Sequence, residues 1–517
     1  MRQKSPAKSQ RLDLHKRRQR EGMQPPKTAS FVKKLSHAEN LSTLLGTVKP
    51  TNSNFPSHNT LTPSTMSMRS IASLQNYTRN VEIHQLSSPP SAVSDFTTMR
   101  RIFLFLLTAI SPALANNVIF IHPDGAGVSH WQAARFFWAG PDAELHWDRI
   151  PHMAVYRGHM ADSLSATSNG GATSHAYGIK VPSNAFGTDG KSASQPLAAN
   201  GEKGSLMHEA MRRRVRTGLI NSGSVIEPGT ACFVASVAQR DDYAEITAQI
   251  VASGVDVILS GGEEWFLPNT KSGRHTASGK RSDGRDLIEE ARNIGYTIVF
   301  NRSELAAVPA QTKKLLGIFA EQDTFNDMEP DKLKAAGLPT YAPDAPTLQE
   351  MTAAALKLLA PGPFFLVVEE EGADNFANFN NAPGVLDALK RADEAFGTAL
   401  DFVDKNPNTL LITAADSSAG AMDVLGFPPK PDLVARAAKG KDTNGAPYGL
   451  TLDCQPFLSK PDRFGAAHPF VITWGTLSDA SGGILVRAAG KKADSVKGTF
   501  DNTKIYHLMR EVLFESK

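Results

Sequence analysis

Five acidic residues fall where apolar runs of the sequence break. Asp124 ends the run Val118–Ile121 at Pro123-Asp124-Gly125. Glu369 closes Phe364–Val368, with Asp374 shortly after it. Asp416 lies just past Thr409–Thr413, and Asp479 follows Pro469–Trp474. A single acid at a strand end is usually a turn or cap residue. Five at successive strand ends are hard to explain that way. In a parallel sheet such ends share one edge, so the carboxylates converge. Converging carboxylates repel one another unless divalent cations sit between them. Thiolate chemistry is not available for such a centre. Cys232 and Cys454 are the two cysteines of the chain, too few for a Cys-rich zinc site and enough for at most one bridge.

The acids need a framework that gathers strand ends. From Asn117 onward, short β-rich apolar runs alternate with amphipathic stretches. Thr217–Asn221, Val255–Leu259, Tyr296–Phe300 and Leu315–Phe319 read as further strands. Several are apolar without alternation, the pattern of strands covered on both faces. Val128–Ala139 has helical spacing, and Thr347-Leu348-Gln349-Glu350 is a capping box opening a helix to about Leu359. Val385, Leu389, Ala392, Phe396, Ala399 and Val403 mark one apolar face of a long helix. The alternation predicts an α/β fold: a three-layer sandwich with a mostly parallel central sheet and helices on both faces. Ligands of such a sheet bind at the carboxyl ends of its strands. Two polar, Gly/Pro-rich insertions interrupt the pattern, at about 262–285 and 417–466. The second is long for a loop and predicts a small cap.

Charge is unevenly placed along the 517 residues, although the formal net charge is only +3. Residues 1–98 hold 14 Lys and Arg against 5 Asp and Glu, whereas residues 116–517 hold 39 against 47. An acidic body gives no electrostatic reason to bind nucleic acid. An anionic substrate must therefore be held by local cations, whether side chains or metals. Residues 1–98 are rich in Ser, Thr, Pro, Gln and Asn without apolar period and read as a disordered extension. Their basic run Lys16-Arg17-Arg18-Gln19-Arg20 reads as a solvated tail. Met99 opens a different pattern: Arg100-Arg101, an apolar run from Ile102 to Ile110, then Ala113-Leu114-Ala115. This is the layout of a secretory signal peptide over 99–115, too short for a stable membrane anchor. Translation is thus expected to start at Met99, upstream of a catalytic domain at 116–517 that is secreted or periplasmic. In an oxidising compartment a Cys232–Cys454 bridge is permitted but not required.

Over Asn117–Lys517 the sequence resembles the alkaline phosphatase family. Asn117-Val-Ile-Phe-Ile-His-Pro-Asp124-Gly is similar to that family's opening strand and first metal-binding Asp. Ala172-Thr-Ser-His-Ala-Tyr-Gly-Ile-Lys180 is similar to the helix after its nucleophile, and Thr217-Gly-Leu-Ile-Asn-Ser opens the next block. Ser253-Gly-Val-Asp-Val-Ile-Leu-Ser-Gly-Gly262, Val368-Glu369 with Asp374, and Gly498-Thr-Phe-Asp-Asn-Thr-Lys-Ile-Tyr506 follow in the family's order. Each phrase is weak alone; six in order are specific. The resemblance implies that Asp124 bridges two metals, that Ser168 is the nucleophile and that Arg240 grips the phosphate. It further implies Glu369 at a magnesium-type site, Asp374 at one zinc-type site and Asp416 at the other. Glu227 or Thr230 completes the third site, the register being ambiguous there.

The departures from the pattern concern the metals. Asn378, Ser417 and Asp479 stand where the family's three metal-binding histidines are expected, and Thr167 stands where an acid usually precedes the nucleophile. Imidazole suits zinc; carboxylate, amide and hydroxyl oxygens suit Mg²⁺, Ca²⁺ or Mn²⁺. The expectation is two to three divalent ions, Mg and Zn by resemblance, with Ca or Mn in place of Zn. His122, His130 and His175 lie near the motifs and read as supporting or structural groups, one of which could reach a metal or the phosphate. Phosphate-ester hydrolysis needs charge cancelled on the non-bridging oxygens, an in-line nucleophile and a stabilised leaving group. Ser168 precedes an apparent helix whose amides favour phosphate, with Thr167 its competitor. The resulting expectation is a metal-dependent alkaline phosphatase acting on a small phosphate monoester through phosphoserine. A homodimer is compatible with it. The alternatives are a phosphodiesterase with the same core and a metal-binding relative without catalysis. Sulfatases are disfavoured, because no Cys/Ser-x-Pro-x-Arg motif follows the first Asp.

Overall fold

The apolar runs become strands that are buried on both faces. The computed structural model describes residues 116–328, 330–360, 362–426 and 457–514. The first eight strands are β1 Asn117–Pro123, β2 His152–Arg157, β3 Arg216–Ser224, β4 Val257–Gly261, β5 Thr297–Val299, β6 Leu315–Ile318, β7 Phe364–Glu370 and β8 Thr409–Thr413. Short strands follow: β9 Ser418–Ala419, β10 Asp423–Leu425, β11 Phe457–Leu458, β12 Pro469–Thr473 and β13 Asp479–Ala480. β14 Leu485–Gly490 and β15 Thr499–Asp501 complete the set. Ten of them form one sheet in the order β15-β2-β14-β8-β1-β7-β3-β4-β6-β5. β14 alone runs against its neighbours, pairing antiparallel with β8 and β2. The other pairings in this sheet are parallel.

Helices cover both faces, as the alternation predicts. Those that matter for the site are α1 Val128–Ala134, α2 Ser168–Tyr177, α3 Leu348–Leu359, α4 Gly372–Asn378, α5 Ala382–Lys405 and α6 Thr503–Phe514. β1 shows how the two cores divide. Val118 and Phe120 pack with Ala172, Ala176 and Tyr177 of α2 and Ile505 of α6. Ile119 and Ile121 pack with Leu348 of α3 and Val385, Leu389 and Phe396 of α5. The period-2 alternation of a strand sends successive residues to opposite layers, and the result is the expected three-layer sandwich. The Thr347/Glu350 capping box is present at the start of α3. The stretch Val128–Ala139 does not stay a single α-helix. α1 ends at Ala134, and Arg135–Ala139 widen into a π turn closed by Gly140 N–H on the Arg135 carbonyl at 2.8 Å.

One strand is not where the sequence pattern places it. Pro469–Trp474 reads as a member of the parallel sheet, but β12 lies in a separate antiparallel sheet, β10-β12-β11. The 417–466 insertion supplies its partners, so β12 is drawn away from the main sheet. Asp479 therefore does not follow a strand of the parallel sheet; it sits on β13, paired with Ala419 of β9. The described remainder of this insertion leans on the α1 segment: Phe457 packs edge-on to Phe137, and Lys460 N–H donates to the Phe136 carbonyl at 2.9 Å. The rest of the cap, 427–456 with Cys454, lies outside the described residues, as do the extension 1–98 and the leader 99–115. Insertion 262–285 is tied down by buried Glu263, whose carboxylate accepts N–H bonds from Arg274, His275 and Thr276. Among the described residues no helix is long and apolar enough to cross a membrane.

Candidate active site

β1 and β7 lie side by side at the centre of the sheet, in a register that pairs His122 with Glu369 and Pro123 with Glu370. Asp124, just past β1, therefore meets the acids that leave β7. Alternation then sorts the run Glu369-Glu370-Glu371. Glu369 and Glu371 face Asp124, and one oxygen of each lies within 4.8 Å of an Asp124 oxygen. Glu370 turns the other way and pairs with buried Arg391 of α5 at 3.0 Å. Asn221 at the end of β3 is in register with Glu369; its Nδ2 donates to Glu369 Oε2 and, at 2.9 Å, to Thr230 Oγ1. Thr230 Oγ1 in turn donates to Glu369 Oε2 at 3.3 Å. Gly229 makes room for this arrangement, since a Cβ there would stand 1.9 Å from Glu369 Oε1.

Beyond β8, Asp416 closes on the opposite side of Asp124. With His122 and Asp124 it forms a second group of facing ligand atoms within 4.8 Å of one another. Gly171 of α2 allows this approach: a Cβ there would lie 2.5 Å from Asp416 Cβ. Ser417 Oγ is buried without a partner, while its N–H donates to Asp416 Oδ1 at 2.7 Å. A third group forms around Asp374 on α4. Asn378, one turn later, donates Nδ2 to both Asp374 oxygens at 3.0 Å and to Asp479 Oδ1 at 3.2 Å. Its Oδ1 accepts from Gly420 N–H at 3.3 Å. Asn378 thus stands between two acids and donates through Nδ2 to both.

Ser168 begins α2, and Thr167 caps that helix by accepting the Gly170 N–H at 3.3 Å while donating to the Ser183 carbonyl. The cap occupies the Thr167 hydroxyl and leaves Ser168 facing Asp124, whose carboxylate it helps to stabilise. Arg240 reaches in from the rim. Its Nη2 pairs with Glu227 Oε2 at 2.9 Å, and its side chain stays 41% exposed.

The electrostatics are those of a cation site. Burial pushes Glu369 up to about 8, with Asp124 and Glu227 adding to the shift against His122. Burial likewise raises Glu371, Asp374, Asp416 and Asp479 above the usual carboxylate range, and the neighbouring carboxylates add to it. Asp124 alone is held low: burial opposes its charge, but Asp416, His122 and Ser168 outweigh that. Buried polar atoms without a hydrogen-bond partner cluster here: both Asp124 oxygens, Glu369 Oε1, Glu371 Oε2, Asp416 Oδ2, Ser417 Oγ and His122 Nε2. Unpaired acceptors are costly to bury, and divalent cations among them would satisfy the set. The residues present therefore fit bound metal ions.

The family model described as alkaline phosphatase matches residues 115–456. The chain belongs to the alkaline phosphatase family. It is 25% identical to the alkaline phosphatase of Escherichia coli (strain K12), over 79% of this chain and 88% of that one. The alkaline phosphatase of Gadus morhua is 27% identical, over 78% and 92%. A streptomycin-6-phosphate phosphatase of Streptomyces griseus is 26% identical, over 76% and 90%. The fold matches the alkaline phosphatases of the Antarctic bacterium TAB5 (TM-score 0.58, 20% identity, 77% of this chain and 98% of that one) and Thermus thermophilus (0.60, 22%, 78% and 92%). Two mutants of the TAB5 enzyme were solved with Mg bound.

Within this family member, the structure brings together Asp124, Ser168, Glu227, Thr230, Arg240, Glu369, Asp374, Asn378, Asp416, Ser417 and Asp479. Sequence reasoning missed Asn221 and Glu371. Asn221 was findable by the strand-end argument, had amides been counted with acids. Glu371 was findable as well, since strand alternation puts it on the side of Glu369 and Glu370 on the other.

The raised carboxyls imply a signature in the metal-free protein. A carboxyl raised on folding binds more protons folded than unfolded, so its stabilising contribution is present below the unfolded value and lost as pH rises to the folded one. For Glu369 this window runs from 4.5 to about 8. The melting temperature of chelator-treated protein should fall as pH rises across that window, and added divalent cations should remove the slope. A flat or rising melting temperature in the metal-free protein would contradict a cluster of uncompensated buried carboxyls.

Proposed function

We propose that this protein is a metal-dependent phosphomonoesterase that works through a covalent phosphoserine at Ser168. One observation carries the reading: a serine on the first turn of a buried helix faces the carboxylate shared by two groups of unpartnered ligand atoms. Helix N-terminal N–H groups favour a phosphate at that position. Arg240 presents a planar fork to phosphate oxygens, and its pairing with Glu227 holds it toward the site. Burial opposes the guanidinium charge, but Glu227, Glu371 and Asp124 outweigh it, so the fork stays cationic.

Asp124, Glu369 and Glu371, with Thr230 and Asn221 around Glu369, would hold one ion; Asp124 and Asp416 a second; Asp374 and Asp479, with Asn378, a third. When bound, such ions cancel phosphate charge and lower the proton affinity of an attacking hydroxyl. Ser168 Oγ attacks phosphorus, forming the Oγ–P bond as the bond to the leaving oxygen breaks; the Oγ proton passes to solvent and the leaving oxygen takes one up, departing as the alcohol. Water then attacks phosphorus, releasing inorganic phosphate and restoring the hydroxyl. We further propose that the chain is exported, with 99–115 as its leader. N-terminal sequencing of exported protein should read from Asn116, and a mature start upstream of Met99 would refute this.

If Ser168 attacks, an acid quench during turnover of an aryl phosphate should leave phosphate on the Ser168 peptide. Ser168→Ala should lower the rate by roughly three or more orders of magnitude, and Thr167→Ala should be much milder. Phosphate on Thr167 would move the nucleophile by one residue. A near-wild-type Ser168→Ala with no phosphopeptide would remove the covalent route.

Chelation should abolish turnover, and Mg²⁺, Mn²⁺ or Ca²⁺ should be needed to restore it, because two of the three groups offer only oxygen and amide donors. Full recovery with Zn²⁺ alone would overturn that assignment.

A further inference from the structure

We propose that His122 is a metal ligand, forming with Asp124 and Asp416 a mixed nitrogen and oxygen site for a zinc-type ion. His122 stands on β1 two residues before Asp124, so the strand period puts both side chains on one face. It is fully buried. Its Nδ1 lies 2.7 Å from the Ala414 carbonyl oxygen, which can only accept, so Nδ1 carries a proton. In the neutral ring Nε2 is then a free lone pair. That nitrogen has no hydrogen-bond partner and lies 3.6 Å from Asp124 Oδ1 and 3.9 Å from Asp416 Oδ1. Both separations are too long for N–H···O bonds. A tetrahedral ion with bonds of about 2.0–2.1 Å keeps its ligand atoms roughly 3.3–3.4 Å apart. The imidazole nitrogen therefore needs to move toward each carboxylate by only about half an ångström or less around a shared cation, and the ligand atoms of all three residues already lie within 4.8 Å of one another.

The other two histidines near the site are differently placed. His130 uses Nδ1 on Gly127 N–H at 3.2 Å and Nε2 on the Ala419 carbonyl at 3.1 Å. His175 is hydrogen-bonded through Nε2 to Tyr156 Oη at 2.8 Å, and its buried Nδ1, although unpartnered, belongs to neither group of facing ligand atoms. The Ala414 carbonyl fixes the tautomer and ring orientation of His122, as such partners do for metal-bound imidazoles. The chain has Ser417 rather than histidine after Asp416; an imidazole arrives instead from β1. Nitrogen from His122 suits Zn²⁺, whereas the oxygens of Asp124, Glu369 and Glu371 suit Mg²⁺ or Mn²⁺, so neighbouring sites that share Asp124 would sort different ions. The inference rests on the proposed phosphatase for the ion's part in turnover, but its test reads the metal itself.

The full chain, stripped by chelator, is titrated with Zn²⁺ in excess Mg²⁺ and followed by calorimetry and zinc X-ray absorption. One tight zinc equivalent with a nitrogen ligand is expected. His122→Ala should weaken that equivalent at least a hundredfold, and His122→Asp should retain an ion at the site but favour Mn²⁺ over Zn²⁺. A wild-type zinc shell of oxygen alone overturns the proposal and leaves His122 as an imidazolium between two carboxylates. Unchanged zinc affinity in His122→Ala overturns it equally. If His122→Ala does not fold, the wild-type absorption spectrum still decides. Nitrogen-ligated zinc in a protein with no phosphatase turnover would sink the proposed function and leave this inference standing.

Discussion

Mutual repulsion among buried carboxylates is the constraint on which the rest of this structure depends. Asp124, Glu369, Glu371, Asp374, Asp416 and Asp479 converge at one edge of the central sheet, and most have their proton affinity raised by burial and by each other. Isolated charges cannot be buried in this way without compensation. Either protons or cations must neutralise the set, and several of its oxygens have no hydrogen-bond partner. The fold holds these groups at short range against their repulsion because each is attached to an element that packing has already fixed.

The supporting scaffold is steric as much as electrostatic. Gly229 and Gly171 let a helix turn and the α2 helix approach Glu369 and Asp416 at distances no side chain would allow. Glu370, lying between two acids of the site, is turned into the α5 layer and matched to Arg391, itself stacked over Tyr341. Leaving either partner of such a buried pair alone is strongly destabilising, so this pair pins the β7 end that presents Glu369 and Glu371. Asp479 is held by a different device, the short β9–β13 ribbon, which ties the loop after β8 to the segment after β12.

The site differs from the pattern its family resemblance implies, and the differences are mutually consistent. Where histidines are expected, the chain carries Asn378, Ser417 and Asp479, and the structure uses two of these to build a hydrogen-bonded group around Asp374. Thr167, in the place of an acid, is engaged as a helix cap. Arg240 is paired with Glu227.

Much of this was legible in the sequence. Unalternating apolar runs marked strands buried on both faces, and the capping box at Thr347 and the apolar stripe from Val385 to Val403 marked helices, because these signals are local. Asp124, Glu369 and Asp416 were legible for the same reason: a strand end is a local feature, and parallel topology puts such ends on one edge; Asp374 and Asp479 reach the site from a helix and from a separate ribbon. Two things were decided only by tertiary structure. Whether Pro469–Thr473 joins the main sheet depends on partners supplied by a distant insertion. The free Nε2 of His122 depends on the Ala414 carbonyl, 292 residues away in the chain. Local pattern sets which element a residue occupies, but a side chain's partners are set by pairings between segments that the sequence separates.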